Sequence, residues 1–314
     1  MNTAFQEGGI VGESKADILA IAQRHLGSRV APFICVRRNG ASASSQAQDF
    51  LSELASAGLS FPLVAKPDKG CRGAGVRPLY HRHDLERYLE AFPAHSDLIL
   101  QHMVQSEGEA GVFYVRNPKD AKGRILSLTL KYFPYVIGDG KTSLRDLILD
   151  DPRAGRLSHL YFPRFHDQLE NVPAVGEAVR LAFAGNHSKG TIFRDGATLV
   201  TPQMEAMFDR LSQKIDGFYF GRYDIRFDDL ESLRRGEENF SIIEINGAGA
   251  EVTHIWDADT SLMKAWRDVI HQYYLAWKIG ATNQKSGAKA LSIKAFWTDY
   301  RNEKNASKLY PSTY

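Results

Sequence analysis

Cysteine is almost absent: Cys35 and Cys71 are the only two in 314 residues. Neither belongs to a C-x-x-C or Cys/His pattern, which argues against a disulfide framework or a thiolate zinc site and fits reduced thiols in a cytoplasmic protein. No apolar run approaches the roughly 18–20 residues needed to cross a bilayer. The start, Met1-Asn2-Thr3-Ala4-Phe5-Gln6-Glu7, has neither the basic region nor the apolar core of a secretion signal. Charge of one sign is also missing: 39 Lys and Arg against 37 Asp and Glu leave +2, too little for a protein that coats nucleic acid. No internal repeat is present. What remains is an ordinary globular composition, 43% hydrophobic and 24% charged, at a length that suits about two domains or one domain with lobes.

Apolar residues at helical spacing predict helices over 16–26, 47–57, 84–91, 143–149, 204–215 and 263–277, the last carrying Trp266, Val269, Ile270, Tyr273 and Trp277. Strands are predicted over 30–36, 62–66, 75–80, 98–101, 112–115, 125–131, 221–227 and 240–246. The charged connection 228–238 reads as a solvated loop or helical turn. From Thr282 onward the chain is rich in Lys, Ser and Asn and reads as partly disordered. Strands alternating with helices, with several hairpin-like pairs, indicate a mixed α/β or α+β protein.

Three stretches carry chemistry. Along a strand, side chains alternate faces, so Arg222, Asp224 and Arg226 share one face and Glu244 and Asn246 share another. If the two strands pair, Asp224, Glu244 and Asn246 converge with Arg222 beside them. Two carboxylates and an amide oxygen form a hard donor set suited to magnesium on phosphates; an ordinary sheet with a polar face accounts for them as well. The second stretch runs from Phe61 to Val76, a strand ending in Lys66 followed by Lys69-Gly70-Cys71-Arg72-Gly73-Ala74-Gly75. The lysine precedes the glycines, so this is no Walker A loop. Such a loop can fold over phosphates and offer backbone N–H groups, with Lys66 as a point charge; a plain hairpin turn fits too. The third, Gln101-His102-Met103 through Glu109, reads as a connector that presents backbone groups to an adenine ring, with Glu109 accepting from ribose hydroxyls.

In combination and order, these stretches resemble the ATP-grasp superfamily. The likeness is to the carboxylate–amine ligases related to D-alanine–D-alanine ligase, to the ribosomal-protein glutamate ligases, and to the ATP-grasp part of cyanophycin synthetase. It covers roughly residues 12–258. Glu13-Ser14-Lys15 before an apolar helix is similar to the family's early lysine motif, 62–76 to its lysine and glycine loop, and 101–109 to its nucleotide hinge. Residues 135–148 are similar to a segment of the cyanophycin-type enzymes, and Asn186-His187-Ser188-Lys189-Gly190 to the loop before the last catalytic strands.

The resemblance implies an α+β protein of ATP-grasp fold, two α/β lobes gripping the nucleotide. A short N-terminal lead-in would span 1–46, the small lobe 47–104, the large lobe 105–280 and a C-terminal tail 281–314. It implies ATP and magnesium (or manganese) as cofactors. Lys15, Lys66, Lys69, Gly70, Gly73, Gln101, His102, Met103, Glu109 and Lys131 would bind ATP, and Asp224, Glu244 and Asn246 the metal. Arg222 and Lys189 would be catalytic, and Glu251, Thr253 and His254 would meet the substrate. The implied reaction activates a carboxylate as an acyl phosphate and joins it to an amine; a small-molecule kinase and a nucleotide-binding regulatory module are the alternatives. The partners would be a small carboxylate and an amine, with no nucleic acid or membrane and a homodimer left open. Three features depart from the pattern: Gln101 stands where many members carry an acid, Gly247-Ala248-Gly249-Ala250-Glu251 replaces the D-alanine ligases' proline-glycine-methionine-threonine stretch, and the region before Lys15 is short for a full N-terminal domain.

Overall fold

The computed structural model describes residues 1–70 and 73–313; Cys71 and Arg72 of the glycine loop, and Tyr314, lie outside the described residues. The first helix, α1 (Lys15–Leu26), is capped by the Ser14 hydroxyl, which accepts from the Asp17 amide. Its N-terminus is also tied down from elsewhere, because the buried Asp68 carboxylate accepts from the Ala16 amide and the Ser14 hydroxyl.

The small lobe is a four-stranded antiparallel sheet in the order β1-β4-β2-β3. Its strands are β1 (Phe33–Arg37), β2 (Leu63–Pro67), β3 (Arg77–Leu79) and β4 (Asp97–His102), with α2 (Ala43–Ser56) and α3 (Arg82–Ala91) packed against it. Ala47, Phe50 and Leu54 of α2 meet Leu85, Tyr88 and Leu89 of α3 over Leu63, Ala65, Leu98 and Leu100 of the sheet. Because β1 is hydrogen-bonded to β4 along its whole length, residues 33–46 belong to this lobe, which therefore begins well before the expected 47.

The large lobe is built on a five-stranded antiparallel sheet. From β5 (Gly108–Val115) and β6 (Arg124–Tyr132) the chain enters an excursion of β7 (Tyr135–Ile137), α4 (Leu144–Asp150), α5 (Ser158–Tyr161) and β8 (Ala178–Arg180), with its own apolar cluster around Ile148, Tyr161 and Leu181. It returns as β9 (Ile192–Asp195), then α6 (Pro202–Gln213), β10 (Phe220–Phe227), α7 (Leu230–Arg234) and β11 (Phe240–Asn246). The sheet order is β11-β10-β5-β6-β9. Period-2 alternation divides it cleanly. Ala110, Val112, Leu128, Leu130, Tyr223, Ile225 and Ile245 face a core closed by α1 and by Met204, Met207, Phe208 and Leu211 of α6. The opposite face carries Glu109, Thr129, Lys131, Arg222, Asp224, Glu244 and Asn246, and that face is the site. Since β5 starts at Gly108, Glu109 lies in a strand and not in the connector where it was expected.

After β11 come α8 (Leu262–Lys285) and α9 (Ile293–Ser307). The C-terminal stretch is folded, contrary to the expected disorder. Beyond α9 it lies against the glycine loop. The Tyr310 hydroxyl donates to the Lys69 carbonyl at 2.8 Å, Thr313 donates to the Gly73 carbonyl at 2.6 Å, and the Arg77 guanidinium donates to the Ser312 carbonyl at 2.7 Å. The Tyr310 ring stacks on Phe92 with centroids 5.5 Å apart. No helix among the described residues is long and apolar enough to cross a membrane.

This strap predicts that Tyr310→Ala frees the glycine loop without unfolding the large lobe. Amide exchange at residues 73–77 should accelerate by about tenfold or more while β10 and β11 keep their protection. Unchanged exchange at 73–77 would show that the strap bears no load.

Candidate functional site

The site is a set of buried charges on the polar face of the large sheet, arranged with alternating sign. In the ladder, Glu109 of β5 stands opposite both Lys131 of β6 and Arg226 of β10. Its carboxylate pairs with the Lys131 ammonium at 3.0 Å and the Arg226 guanidinium at 2.9 Å. Lys131 also donates to Asp224 at 3.0 Å. Asp224 receives a bidentate pair from Arg222, 2.9 and 3.0 Å, and the Asn246 amide at 3.1 Å. Space for the Arg222–Asp224 pair comes from Gly111, where a Cβ would stand 2.9 Å from Arg222 Cδ and 3.3 Å from an Asp224 oxygen.

Burial dominates the protonation balance, and the partners decide its sign. At Asp224 desolvation opposes ionisation, yet Arg222 and Lys131 outweigh it and hold the carboxyl far below the usual range. At Lys131 desolvation disfavours the charge, and Asp224 and Glu109 reverse that and raise its pKa. Arg222 is raised in the same way, Asp224 overcoming its burial. Asp224, Lys131 and Arg222 are thus held in their charged forms.

The second lobe enters through Lys66, and Lys15 of α1 stands at the same junction. The Lys66 ammonium at the end of β2 is buried and donates to the Gln101 side-chain oxygen and to the Ile243 carbonyl, both at 2.9 Å. Ile243 is the extra residue of a β-bulge: Asp224 pairs with Glu244 and Ile225 with Ile242. Left without a partner on β10, its carbonyl meets the lysine instead. Among the described residues Lys66 has no carboxylate within ion-pair distance. Desolvation, with the Lys15 charge adding to it and Glu244 opposing, pushes its pKa down to about 8. The Lys15 ammonium donates to the Gly70 carbonyl and stands 3.9 Å from Glu244, joining the glycine loop to β11.

The structure brings Arg222, Asp224, Glu244 and Asn246 together, with Lys15 and Lys131 beside them and Lys66 close by. Others differ. Gln101 was expected to face adenine, but it is inside, its oxygen held by Lys66 and its amide nitrogen donating to the Ala31 carbonyl. The His102 and Met103 amides donate to the Pro32 and Pro62 carbonyls, so these two donors are spent within the fold. Glu109 was assigned to ribose, yet both its oxygens are engaged by cations. Thr253 bonds to Thr129, and His254 to Asp268 of α8 at 3.0 Å; these contacts pin the turn after β11. The Glu251 side chain is exposed, and its carbonyl accepts from Arg222 at 3.1 Å. Lys69 is exposed, and Gly73 lies beside Ala184 and Asn186 of the loop that carries Lys189. Among the described residues the Lys189 ammonium has no hydrogen-bond or ion-pair partner, and burial together with Arg164 lowers its pKa.

Whether these residues suit a divalent cation depends on free lone pairs. A carboxylate offers about four acceptor sites, and Asp224 already fills four, two from Arg222 and one each from Lys131 and Asn246. That corrects the simple three-ligand picture: Asp224 can meet a metal only after Arg222 or Lys131 turns away. Glu244 and the Asn246 side-chain oxygen keep acceptor capacity, so the donor chemistry fits in part. No group of three His, Cys, Asp or Glu side chains among the described residues is placed to hold an ion.

Two site residues escaped the sequence reading. Arg226 was placed on the right face by alternation but given no role. Glu13 lies two residues before Lys15 in the same Glu-Ser-Lys motif; it is close enough to Glu244 for the two charges to repel, and among the described residues one of its oxygens has no hydrogen-bond partner.

No protein-family model matches the chain, and no curated protein matches it in sequence. Among solved structures it is similar to a bifunctional glutathione synthetase from Pasteurella multocida, with 16% identity over 83% of this chain and 36% of that one and a TM-score of 0.38. It is similar to a D-cycloserine synthetase, 18% identical over 82% of this chain and 70% of that one, TM-score 0.42. A third is a D-alanine–D-alanine ligase from Bacillus anthracis, 14% identical over 87% and 67%, TM-score 0.45. The chain spans about a third of the length of the glutathione synthetase. At identities and TM-scores this low, the matches place no residue and fix no reaction.

Glu13 yields a test of the site's electrostatics. Burial raises its carboxyl to about 7, with Glu244 adding to the rise and Lys15 opposing it. A folded pKa above the unfolded one makes the folded state lose stability as pH climbs from about 4.5 to about 7, and the loss is complete above that. Glu13→Gln should therefore gain up to about 3 kcal/mol over the parent at pH 8 in urea unfolding and little at pH 4. An equal difference at both pH values would refute the buried, raised carboxyl.

Proposed function

We propose that this chain is an ATP-grasp ligase that activates a small carboxylate with ATP and joins it to an amine. The observation that carries the reading is Lys66: a desolvated ammonium whose near partners among the described residues are neutral oxygens, at the junction of two lobes and facing an array of paired charges. Burying such a cation costs several kcal/mol unless an anion arrives to meet it, and a triphosphate is an anion of the right reach.

Lys66 and Lys15 would take phosphate oxygens, with the glycine loop closing over them to exclude water. Excluding water matters because an acyl phosphate left in solvent hydrolyses. The carboxylate substrate attacks the γ-phosphate, giving ADP and an acyl phosphate; the amine then attacks the acyl carbon, phosphate leaves, and the amide forms. Arg222, fixed by Asp224 and the Glu251 carbonyl, would stabilise the tetrahedral oxyanion as a preorganised cation. Lys131 and Lys189, the latter without a partner among the described residues, would meet the transferred phosphoryl group, and the exposed Glu251 carboxylate the amine. Glu244 and Asn246, joined by Asp224 once a cation leaves it, would hold magnesium, which when bound spreads the charge of the β- and γ-phosphates.

Incubation with ATP, pooled amino acids and small carboxylates, with hydroxylamine as trap, should yield ADP, free phosphate and a hydroxamate. A phosphorylated acceptor without free phosphate would make the protein a kinase instead. Arg222→Lys should lower turnover by about 100-fold with little change in ATP affinity; equal losses in both would make Arg222 a merely structural cation.

A pH dependence follows from Lys66. Its protonated form binds phosphate and is lost as pH rises through about 8, so ATP affinity should fall by up to tenfold per pH unit above that point. Lys66→Arg should flatten the profile. A flat profile in the parent would remove Lys66 from the phosphate site.

A further inference from the structure

The reaction proposed above makes no use of α8's outer face. This helix of 24 residues has two apolar sides. One, with Ala276 and Ile279, is buried against the cluster of Phe113, Phe220 and Val252. The other presents Met263, Trp266, Ile270, Tyr273 and Trp277, exposed by 73, 59, 68, 61 and 67%. Their spacing is three, four, three and four residues, the a/d pattern of a narrow helix-packing seam and not the broad stripe of a helix laid on a core. Large exposed apolar patches of this kind mark interaction surfaces.

We propose that this seam holds a second copy of the chain, the two α8 helices packing antiparallel about a two-fold axis. Area supports a stable pair: with three aromatic side chains, flanked by Leu262 and Tyr274 at 64 and 50% exposure, each copy offers on the order of 800 Å², what a stable interface buries per partner. A two-fold interface must be self-complementary, and the antiparallel arrangement makes it so. It sets Trp266 against Trp277 of the partner subunit and Ile270 against Tyr273 of the partner subunit, each pair occurring twice. The seam's flank is complementary too, since Arg267 stands beside Tyr274 of the partner subunit as a cation–π pair, also twice. The only acid of α8, Asp268, is already engaged by His254, Lys264 and Arg267 and adds no repulsion at the seam.

Light scattering on the full chain across the micromolar range should give twice the chain mass. Trp266→Glu combined with Trp277→Glu should weaken the dimer at least 100-fold and give a monomer with an unchanged circular dichroism spectrum, both positions being exposed. In a Cys35→Ser, Cys71→Ser background, spin labels on Lys278→Cys should lie on the order of 25 Å apart, from the rise of 1.5 Å per residue and the antiparallel offset. A parent chain that stays monomeric overturns the proposal, as does a dimer that survives the double substitution. Labels about 10 Å apart overturn the antiparallel arrangement. A monomer that binds anionic phospholipid vesicles through the same tryptophans assigns the seam to a membrane surface instead.

Discussion

Charge buried on one face of a sheet must be answered by charge of opposite sign, and most of the large lobe follows from that requirement. Glu109, Lys131, Asp224, Arg222 and Arg226 stand on three adjacent strands, out of water, each within 3.0 Å of an opposite charge. Removing one member of such a set strands another and costs about 3–5 kcal/mol. The register of β5, β6 and β10 is accordingly pinned twice, by the apolar face against α6 and by the charge pairs on the other. A slip of one residue would put Tyr223 and Ile225 where the cations are and expose the cations to the core. Gly111 belongs to the same constraint, since a side chain there would displace the Arg222–Asp224 pair.

The lobes are coupled by devices that exploit defects in regular structure. The bulge at Ile243 releases a carbonyl, and Lys66 from the other lobe takes it. The Asp68 carboxylate, just past β2, caps α1 from outside and so fixes Lys15, whose ammonium then reaches the Gly70 carbonyl and approaches Glu244. Behind Glu244, Gly9 and Gly247 approach so closely that a Cβ on either would stand 2.7 Å from the other's Cα, and the Ala248 and Gly249 amides donate to the Gly8 and Gly9 carbonyls. The N-terminal segment is thereby the wall against which the end of β11 is set. The C-terminal strap closes the opposite side, with Tyr310 and Thr313 holding loop carbonyls that an isolated glycine hairpin would leave to water.

What could be read from residues alone was what depends on short-range periodicity. Alternation placed Arg222, Asp224 and Arg226 on one face and Glu244 with Asn246 on another, and one pairing of two neighbouring strands then brought them together. Helical spacing located α1, α3, α6 and α8. The failures have a different cause. Gln101 and Glu109 look like a polar hinge because their partners, Lys66 and Arg226, are 35 and 117 positions away, and nothing local says that their polar atoms are already satisfied. The stretch beyond Thr282 is polar enough to look disordered; its order comes from contacts such as Tyr310 with Lys69, separated by 241 positions. The bulge at Ile243 leaves no trace in a run of apolar residues. Cys71 and Arg72 of the expected loop lie outside the described residues.

The pairing state of the cations bears on how such a site can work. Arg222 and Lys131 are held by Asp224 and Glu109, whereas among the described residues Lys66 and Lys189 have no anion of their own. In the reaction proposed, an incoming polyanion would be met first by the cations without an anionic partner, whose burial it would relieve, and only afterwards compete with Asp224 for the paired ones. Each competition won releases a lone pair on Asp224, which gains affinity for a divalent cation as it loses contact with Arg222 or Lys131. Anion and metal binding would in this way be linked, in that reaction, through one carboxylate: whatever draws Lys131 or Arg222 toward a phosphate would strengthen the oxygen site, and by reciprocity a cation seated there would loosen Arg222. The saturation of Asp224 is then not at odds with a metal-dependent reaction. It would make the proposed metal site conditional on the anion being present.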